Sequence, residues 1–246
     1  MKEQIYTIPI HDAFAEPGEC PFCAMYRKLE DTTVAYVLSP SYMEEDVRGE
    51  TNRLGFCQPH MERLYREGNS LGIGLMMHSM LKQQHENIFT LLKNASAARK
   101  LLQKKNTETS PLEAYRQQFK NSCYICSRIQ NTFSRYLEAF FSMYRKEAGF
   151  KEQVFACKGF CLDHFMLIYD LAGQYLKAAE LDEFRSKAAK LEEEHLSRVE
   201  DEVEWFTKKF DYRFANEPWK NSKDAVQRSI LKINSQYVDK NDKKTG

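Results

Sequence analysis

Six cysteines and two histidines form one pattern used twice. Cys20-Pro21-Phe22-Cys23 is followed by Gly55-Phe56-Cys57-Gln58-Pro59-His60. Cys123-Tyr124-Ile125-Cys126 is followed by Gly159-Phe160-Cys161-Leu162-Asp163-His164. Between the copies the first pair shifts by 103 positions and the second by 104. Each copy offers three thiols and one imidazole, the ligand set of a four-coordinate zinc site. A Cys-x2-Cys turn at a helix start can aim both sulfurs at one point. The free backbone N–H groups and the positive dipole end there also favour thiolates. Cys-x2-His across a first helical turn does the same for sulfur and nitrogen. A glycine before each, Gly55 and Gly159, permits the tight approach. One Cys-x2-Cys alone is a weak signal. Two of them, each followed after 33 or 34 residues by Gly-Phe-Cys-x2-His, make a strong one.

The expected ligands are therefore Cys20, Cys23, Cys57 and His60 for one zinc, and Cys123, Cys126, Cys161 and His164 for a second. Sites completed within each half are the simpler arrangement. Spacing does not forbid an exchange in which Cys20 and Cys23 meet Cys161 and His164. Three Cys and one His also serve iron–sulfur clusters, an alternative the sequence leaves open, although two helix-anchored knuckles suit zinc better. Thiol–disulfide chemistry is the nearest catalytic rival, because Cys20-Pro21-Phe22-Cys23 resembles the active-site tetrapeptide of glutaredoxins. The context departs from that family. No apolar strand precedes Cys20, and Cys123-Tyr124-Ile125-Cys126 lacks the proline.

The remaining candidates read as structural. His195 follows Glu192 at a di-iron spacing, but no second Glu-x-x-His exists. His78 and His85 lie seven apart on one helix face and read as a half-buried polar stripe, and His11 has no context. Met76, Met77 and Met80 read as core filling, and Gly72-Ile73-Gly74 does not continue into a dinucleotide fingerprint. Arg99, Lys100, Lys104 and Lys105 read as a solvated helix end. Cys157, the seventh cysteine, reads as a partly buried bystander.

The elements that must position these groups are helical. Ten Gly and seven Pro in 246 residues suit long helices better than many turns. Ile5, Tyr6, Ile8 and Ile10 suggest a short strand or strap, and Glu16-Pro17-Gly18-Glu19 a turn. A helix is expected from Cys20 or Pro21 to Ser39-Pro40-Ser41, then one capped by Ser41 that stops at Gly55. Cys57 and His60 open a third, with Met61, Leu64 and Tyr65 inward. A long helix over 71–102 turns Ile73, Met77, Met80, Leu81, Gln84, Ile88 and Leu91 inward. Residues Lys104 to Pro111 read as a linker. The second half repeats the plan. Val34, Val37 and Leu38 map onto Leu137, Phe140 and Phe141, and Met61, Leu64 and Tyr65 onto Phe165, Ile168 and Tyr169. A further long helix over 181–210 carries Leu196, Val199, Val203, Phe206 and Phe210. Ser222 then caps a last helix, and 239–246 reads as a frayed end. The expectation is an all-α protein of two related units, 1–105 and 106–246, the second with a C-terminal helical extension.

Composition bounds the rest. At 42% hydrophobic and 13% aromatic the chain can bury a core. A net charge of +1 creates no field for nucleic acid, and none is expected as a partner. Neither a signal peptide nor a membrane span is legible, so the expected compartment is the cytoplasm, where paired cysteines serve metals more often than disulfides.

With its paired Cys-x2-Cys and Gly-Phe-Cys-x2-His motifs, the sequence resembles an uncharacterised bacterial family catalogued as a domain of unknown function. The resemblance extends to Ile5–Phe14, Pro40-Ser41-Tyr42 and Glu217-Pro218-Trp219…Asn221-Ser222-Lys223-Asp224-Ala225. It implies a cytoplasmic bacterial protein and brings no activity, substrate or cofactor.

Two structural zincs would each tie a helix start to the end of an excursion of 33 or 34 residues and stabilise the fold. The expected function is thus a non-enzymatic, zinc-binding scaffold or interaction module, with a protein partner or self-association on its long helices. A redox or metal sensor built on the same thiolates is the alternative. An enzyme would need an open coordination position, and four protein ligands per site argue against one.

Overall fold

The computed structural model describes residues 4–99 and 110–238. Among them are eleven α-helices and no strand. In chain order they are α1 (Gln4–Ala15), α2 (Pro21–Leu38), α3 (Glu45–Leu54), α4 (Gln58–Glu67), α5 (Ser70–Arg99), α6 (Pro111–Asn121), α7 (Tyr124–Lys146), α8 (Ala148–Ala156), α9 (Leu162–Tyr175), α10 (Ala179–Lys208) and α11 (Ala225–Asn234). No described helix is long and apolar enough to cross a membrane. The boundary expected at 105/106, most of the linker reading over Lys104 to Pro111, the basic residues Lys100, Lys104 and Lys105, and the C-terminal stretch from 239 lie outside the described residues.

The chain divides into two compact units: Met1–Arg27 with Phe133–Gly246, and Lys28–Thr132. Each sequence half thus contributes to the unit that holds α1 and α11. The changeover points fall inside α2 and α7, the two helices that begin beside Cys-x2-Cys pairs.

The unit of residues 28–132 packs Val34 and Val37 of α2 against Val47, Leu64, Ile73 and Met76, and against Ile125 and Ile129 of α7. The other unit has an aromatic core. Phe14 stacks on Phe140, and Phe22 meets Phe140 edge-on at 5.2 Å. Phe141 lies flat on Tyr175 at 4.8 Å, and Phe150, Phe160 and Phe184 are fully buried. Each such ring contributes about 1.5–3 kcal/mol by leaving water, and its pairings add about 0.5–1.5 kcal/mol.

Helix boundaries follow local chemistry. Pro21 occupies the first position of α2, where its missing N–H costs nothing. Ser110 accepts from the Glu113 backbone N–H and caps α6. Gly55 and Gly68 end α3 and α4 with φ of 64° and 108°.

Several expectations are corrected. The lead-in is a helix and not a strand. Ile10, Ala13 and Phe14, at helical spacing, are buried, while Ile5 and Ile8 face solvent and Pro9 sits within the helix. Ser41 does not cap α3, whose N-cap is Glu44; its hydroxyl donates instead to the Tyr36 carbonyl at the end of α2. Ser222 likewise donates to Trp219, and Asp224 precedes α11. Tyr65 and Leu81 are exposed because the covered stripe on each helix is narrower than its apolar pattern, and Phe210 is exposed because α10 ends before it, at Lys208. Helix α8 is an element the sequence pattern does not announce.

Gly159 has φ +75°, and a Cβ there would meet Glu192 Oε2 at 2.8 Å and Lys232 Nζ at 3.1 Å. Gly18 has open space around it. Gly159→Ala is expected to cost about 1–3 kcal/mol, and Gly18→Ala less than about 0.5 kcal/mol. Chemical denaturation of the two variants checks this.

Candidate metal centres

The eight motif residues gather into two four-donor clusters, and the ligand sets are exchanged relative to the simpler expectation. Cys20 and Cys23 meet Cys161 and His164; Cys57 and His60 meet Cys123 and Cys126. Each cluster lies wholly within one unit. The physical reason is the division of the helices. The first turn of α2 belongs to the unit that holds α9, and the first turn of α7 to the unit that holds α4.

All four ligands of the first centre are buried, with Cys20 and Cys161 at 0% exposure. His164 Nδ1 lies 3.6 Å from Cys20 Sγ, 3.3 Å from Cys23 Sγ and 3.0 Å from Cys161 Sγ. Cys23 and Cys161 sulfurs are 3.4 Å apart. In the second centre His60 Nδ1 lies 3.2 Å from Cys57 Sγ and 3.3 Å from both Cys123 Sγ and Cys126 Sγ. Cys57 and Cys126 sulfurs are 3.8 Å apart. A tetrahedral ion with bonds of about 2.0–2.3 Å spaces its ligand atoms by about 3.3–3.8 Å. The separations given, 3.0–3.8 Å, are close to those around a single four-coordinate ion.

Backbone N–H groups support the sulfurs, as expected at helix starts. Cys23 N donates to Cys20 Sγ, Cys126 N to Cys123 Sγ and His164 N to Cys161 Sγ, at 3.4–3.5 Å. The stretches that deliver the second ligand pairs are held differently. Gly55 is fixed by backbone: its carbonyl accepts from Tyr124 N at 2.9 Å, and Ser122 Oγ donates to the Leu54 carbonyl. Phe160, before Cys161, is fixed by two buried side chains. Its N–H donates to Glu192 Oε2, and its carbonyl accepts from Lys232 Nζ, both at 2.8 Å. Lys232 also donates to the Lys158 carbonyl, and Ser235 Oγ donates to Cys161 Sγ at 3.0 Å.

The histidines differ in their surroundings. His60 turns its other nitrogen to Glu30, with Nε2 and Oε1 2.9 Å apart, and Arg63 ties Glu30 to Asp31 and Glu67. This carboxylate–histidine arrangement orients a ligating imidazole and raises its basicity. His164 instead lies between Phe22 and Phe133, its ring centre 5.7 and 5.4 Å from theirs.

Within each cluster thiols are shifted in opposite directions. Hydrogen bonds from Cys20 and Cys23 hold the Cys161 thiol far below its ordinary range. Burial pushes Cys20 up, and the hydrogen bond to Cys161 does the same to Cys23. The hydrogen bond from Cys126 holds Cys123 down at about 3, and the same bond pushes Cys126 up. Burial disfavours a charged His60, but hydrogen bonds to Cys123 and Glu30 outweigh it and raise the imidazole to about 10. Without metal, protons thus neutralise what a cation would neutralise.

A family model of unknown function, DUF6062, matches residues 1–240. The chain belongs to this family. No curated protein and no solved structure matches it.

Other residues singled out in this DUF6062 chain lie outside the clusters. Cys157 donates weakly to the Gly159 carbonyl, and burial raises its thiol to about 11. His195 accepts from Arg198 Nε through Nδ1. His11 pairs with Gln153 and Glu147, and His85 packs on Phe89. Sequence reasoning misses the supporting roles of Glu30, Glu192, Lys232 and Ser235. For Glu192 and Lys232 a signal exists. Each is a charge on the buried stripe of its helix, beside Ala188 and Leu191 or beside Leu231. For Glu30 and Ser235 there is none.

Metal binding must displace the protons held by Cys20 and Cys23 in one centre, and by Cys126 and His60 in the other. Affinity should therefore rise with pH, with a net number of protons above zero released per metal. Calorimetry in buffers of different ionisation enthalpy measures that number. Glu30→Ala should weaken metal at the second centre by about 10–100-fold and leave the first unchanged, as chelator competition would register.

Proposed function

We propose that this DUF6062 chain is a zinc-stabilised, non-enzymatic scaffold or interaction protein with two structural metal sites. The observation that carries the reading is the closure of both clusters. Each presents four protein donors, all within 4.8 Å of one another, and so fills a tetrahedron with no position for a substrate. The same spacing favours one ion over an iron–sulfur cluster, whose inorganic sulfides hold the protein ligands farther apart. Zinc suits a set of three thiolates and one imidazole. Free cysteines throughout are consistent with a cytoplasmic protein.

The energetic role follows from the topology. Cys23 and Cys161 are 138 residues apart, and His60 and Cys126 are 66 apart. Cross-links over such lengths restrict the unfolded chain by about 4–5 kcal/mol each, a large part of a domain's net stability. For the partner role, α5 offers exposed Leu81, Ile88, Phe89 and Leu92 on neighbouring turns, an apolar surface of the type that receives a protein partner or a second copy.

Elemental analysis of protein purified without added metal tests the reading. It should return two zincs per chain, retained until denaturation. Stripping them with a strong chelator at neutral pH should lower the midpoint of thermal unfolding by tens of degrees, as loss of that cross-linking implies. Absence of metal with all thiols intact would sink the proposal.

A further inference from the structure

The two centres have different surroundings. In the first, Cys20, Cys23 and Cys161 are at most 3% exposed and His164 sits between two phenylalanines. Ser235 donates a hydrogen bond to Cys161 Sγ, which withdraws electron density from that sulfur, and Lys232 and Glu192 pin the loop in front of it. In the second centre Cys57 and Cys126 are only half-buried, and neither sulfur accepts a hydroxyl hydrogen bond from the described residues. Its imidazole faces the charged groups Glu30, Arg63, Asp31 and Glu67, while Cys57 and Cys126 lie at the partly exposed edge of the apolar cluster. Oxidation of a thiolate depends on access and on electron density at sulfur, and both favour the second centre.

Distance alone would choose otherwise. Cys23 and Cys161 sulfurs, at 3.4 Å, are nearer than Cys57 and Cys126 at 3.8 Å. Either pair needs less than about 2 Å of closure to reach a disulfide bond length of about 2.05 Å. Accessibility therefore decides between them.

We infer that the Cys57–Cys126 pair is an oxidative modification site for hydroperoxides, and that its centre releases its metal while the buried centre keeps its own. This rests on the metal-binding reading above. The chemistry balances. One half-buried thiolate attacks the outer peroxide oxygen; the O–O bond breaks, a sulfenic acid forms, and the departing alkoxide or hydroxide takes a proton from water. The second thiolate attacks the sulfenic sulfur; the S–S bond forms and hydroxide leaves to be protonated. Two thiolates, one hydroperoxide and two protons become a disulfide, an alcohol or water, and one further water. The two sulfurs supply the two electrons that reduce the peroxide. Zinc, left with Cys123 and His60, dissociates.

The full chain, with metal content measured beforehand, is treated with hydrogen peroxide. Released zinc is followed with a chromogenic chelator, and the cross-linked peptides are mapped by mass. One equivalent should leave at least about tenfold faster than the other, in step with a Cys57–Cys126 linked peptide. Simultaneous release of both metals, retention of both, or a first disulfide within Cys20, Cys23 and Cys161 would overturn the inference. The initial metal content tests the earlier reading separately. If no zinc is present at the start, selective formation of the Cys57–Cys126 disulfide still supports the modification site, and its absence refutes it.

Discussion

In each cluster four donor atoms lie within 4.8 Å of one another, and much of this structure answers to that convergence. A helix start can aim two side chains one turn apart, because Cys-x2-Cys and Cys-x2-His place both on the same face. It cannot aim four. Each centre therefore needs two helix starts held side by side: α2 with α9 in one unit, and α7 with α4 in the other. The glycines before Cys57 and Cys161, with φ of 64° and 75°, let the chain turn sharply enough to bring the second start in.

The units reach the same ligand set by different means. In the unit of residues 28–132 the approach is set by backbone, through Tyr124 N and the Gly55 carbonyl, and the imidazole is steered by a carboxylate. In the other unit a buried lysine and glutamate hold the approach, and rings enclose the imidazole. A buried Lys–Glu pair is costly to desolvate unless its hydrogen-bonding capacity is met. Here the ammonium is met by two backbone carbonyls and one carboxylate oxygen by a backbone N–H, while Glu192 Oε1 has only the ammonium, 3.7 Å away, and no hydrogen bond. Helix α11, which carries Lys232 and is followed directly by Ser235, thus serves a centre whose ligands it does not supply.

The helices and the residues that gather into the two clusters were legible because both announce themselves locally. Pro21, Gly55 and Gly68 mark ends, and the paired spacings mark donors. Partnership between the donor pairs was not legible, since one Cys-x2-Cys is chemically equivalent to the other and only tertiary packing distinguishes them. The opening segment misled for a related reason. Tyr6, Ile8 and Ile10 imitate the alternation of a strand, whereas the core accepts Ile10, Ala13 and Phe14 from one face of a helix. Exposed Tyr65 and Leu81 show the limit of periodicity, which finds the axis of an apolar stripe but not how much of it a neighbour covers.

The exchange of ligand sets also orders events during synthesis. When Cys57 and His60 leave the ribosome, Cys20 and Cys23 are not their partners in the folded arrangement. The centre within residues 28–132 can close once Cys126 has emerged, but the other waits for Cys161, 138 residues after Cys23. At translation rates of 5–20 residues per second that interval is roughly 7–28 s. Throughout it the dithiol of Cys20 and Cys23 stands open on the nascent chain. The four-donor cluster within residues 28–132 can thus assemble on the ribosome before the one that Cys161 and His164 complete.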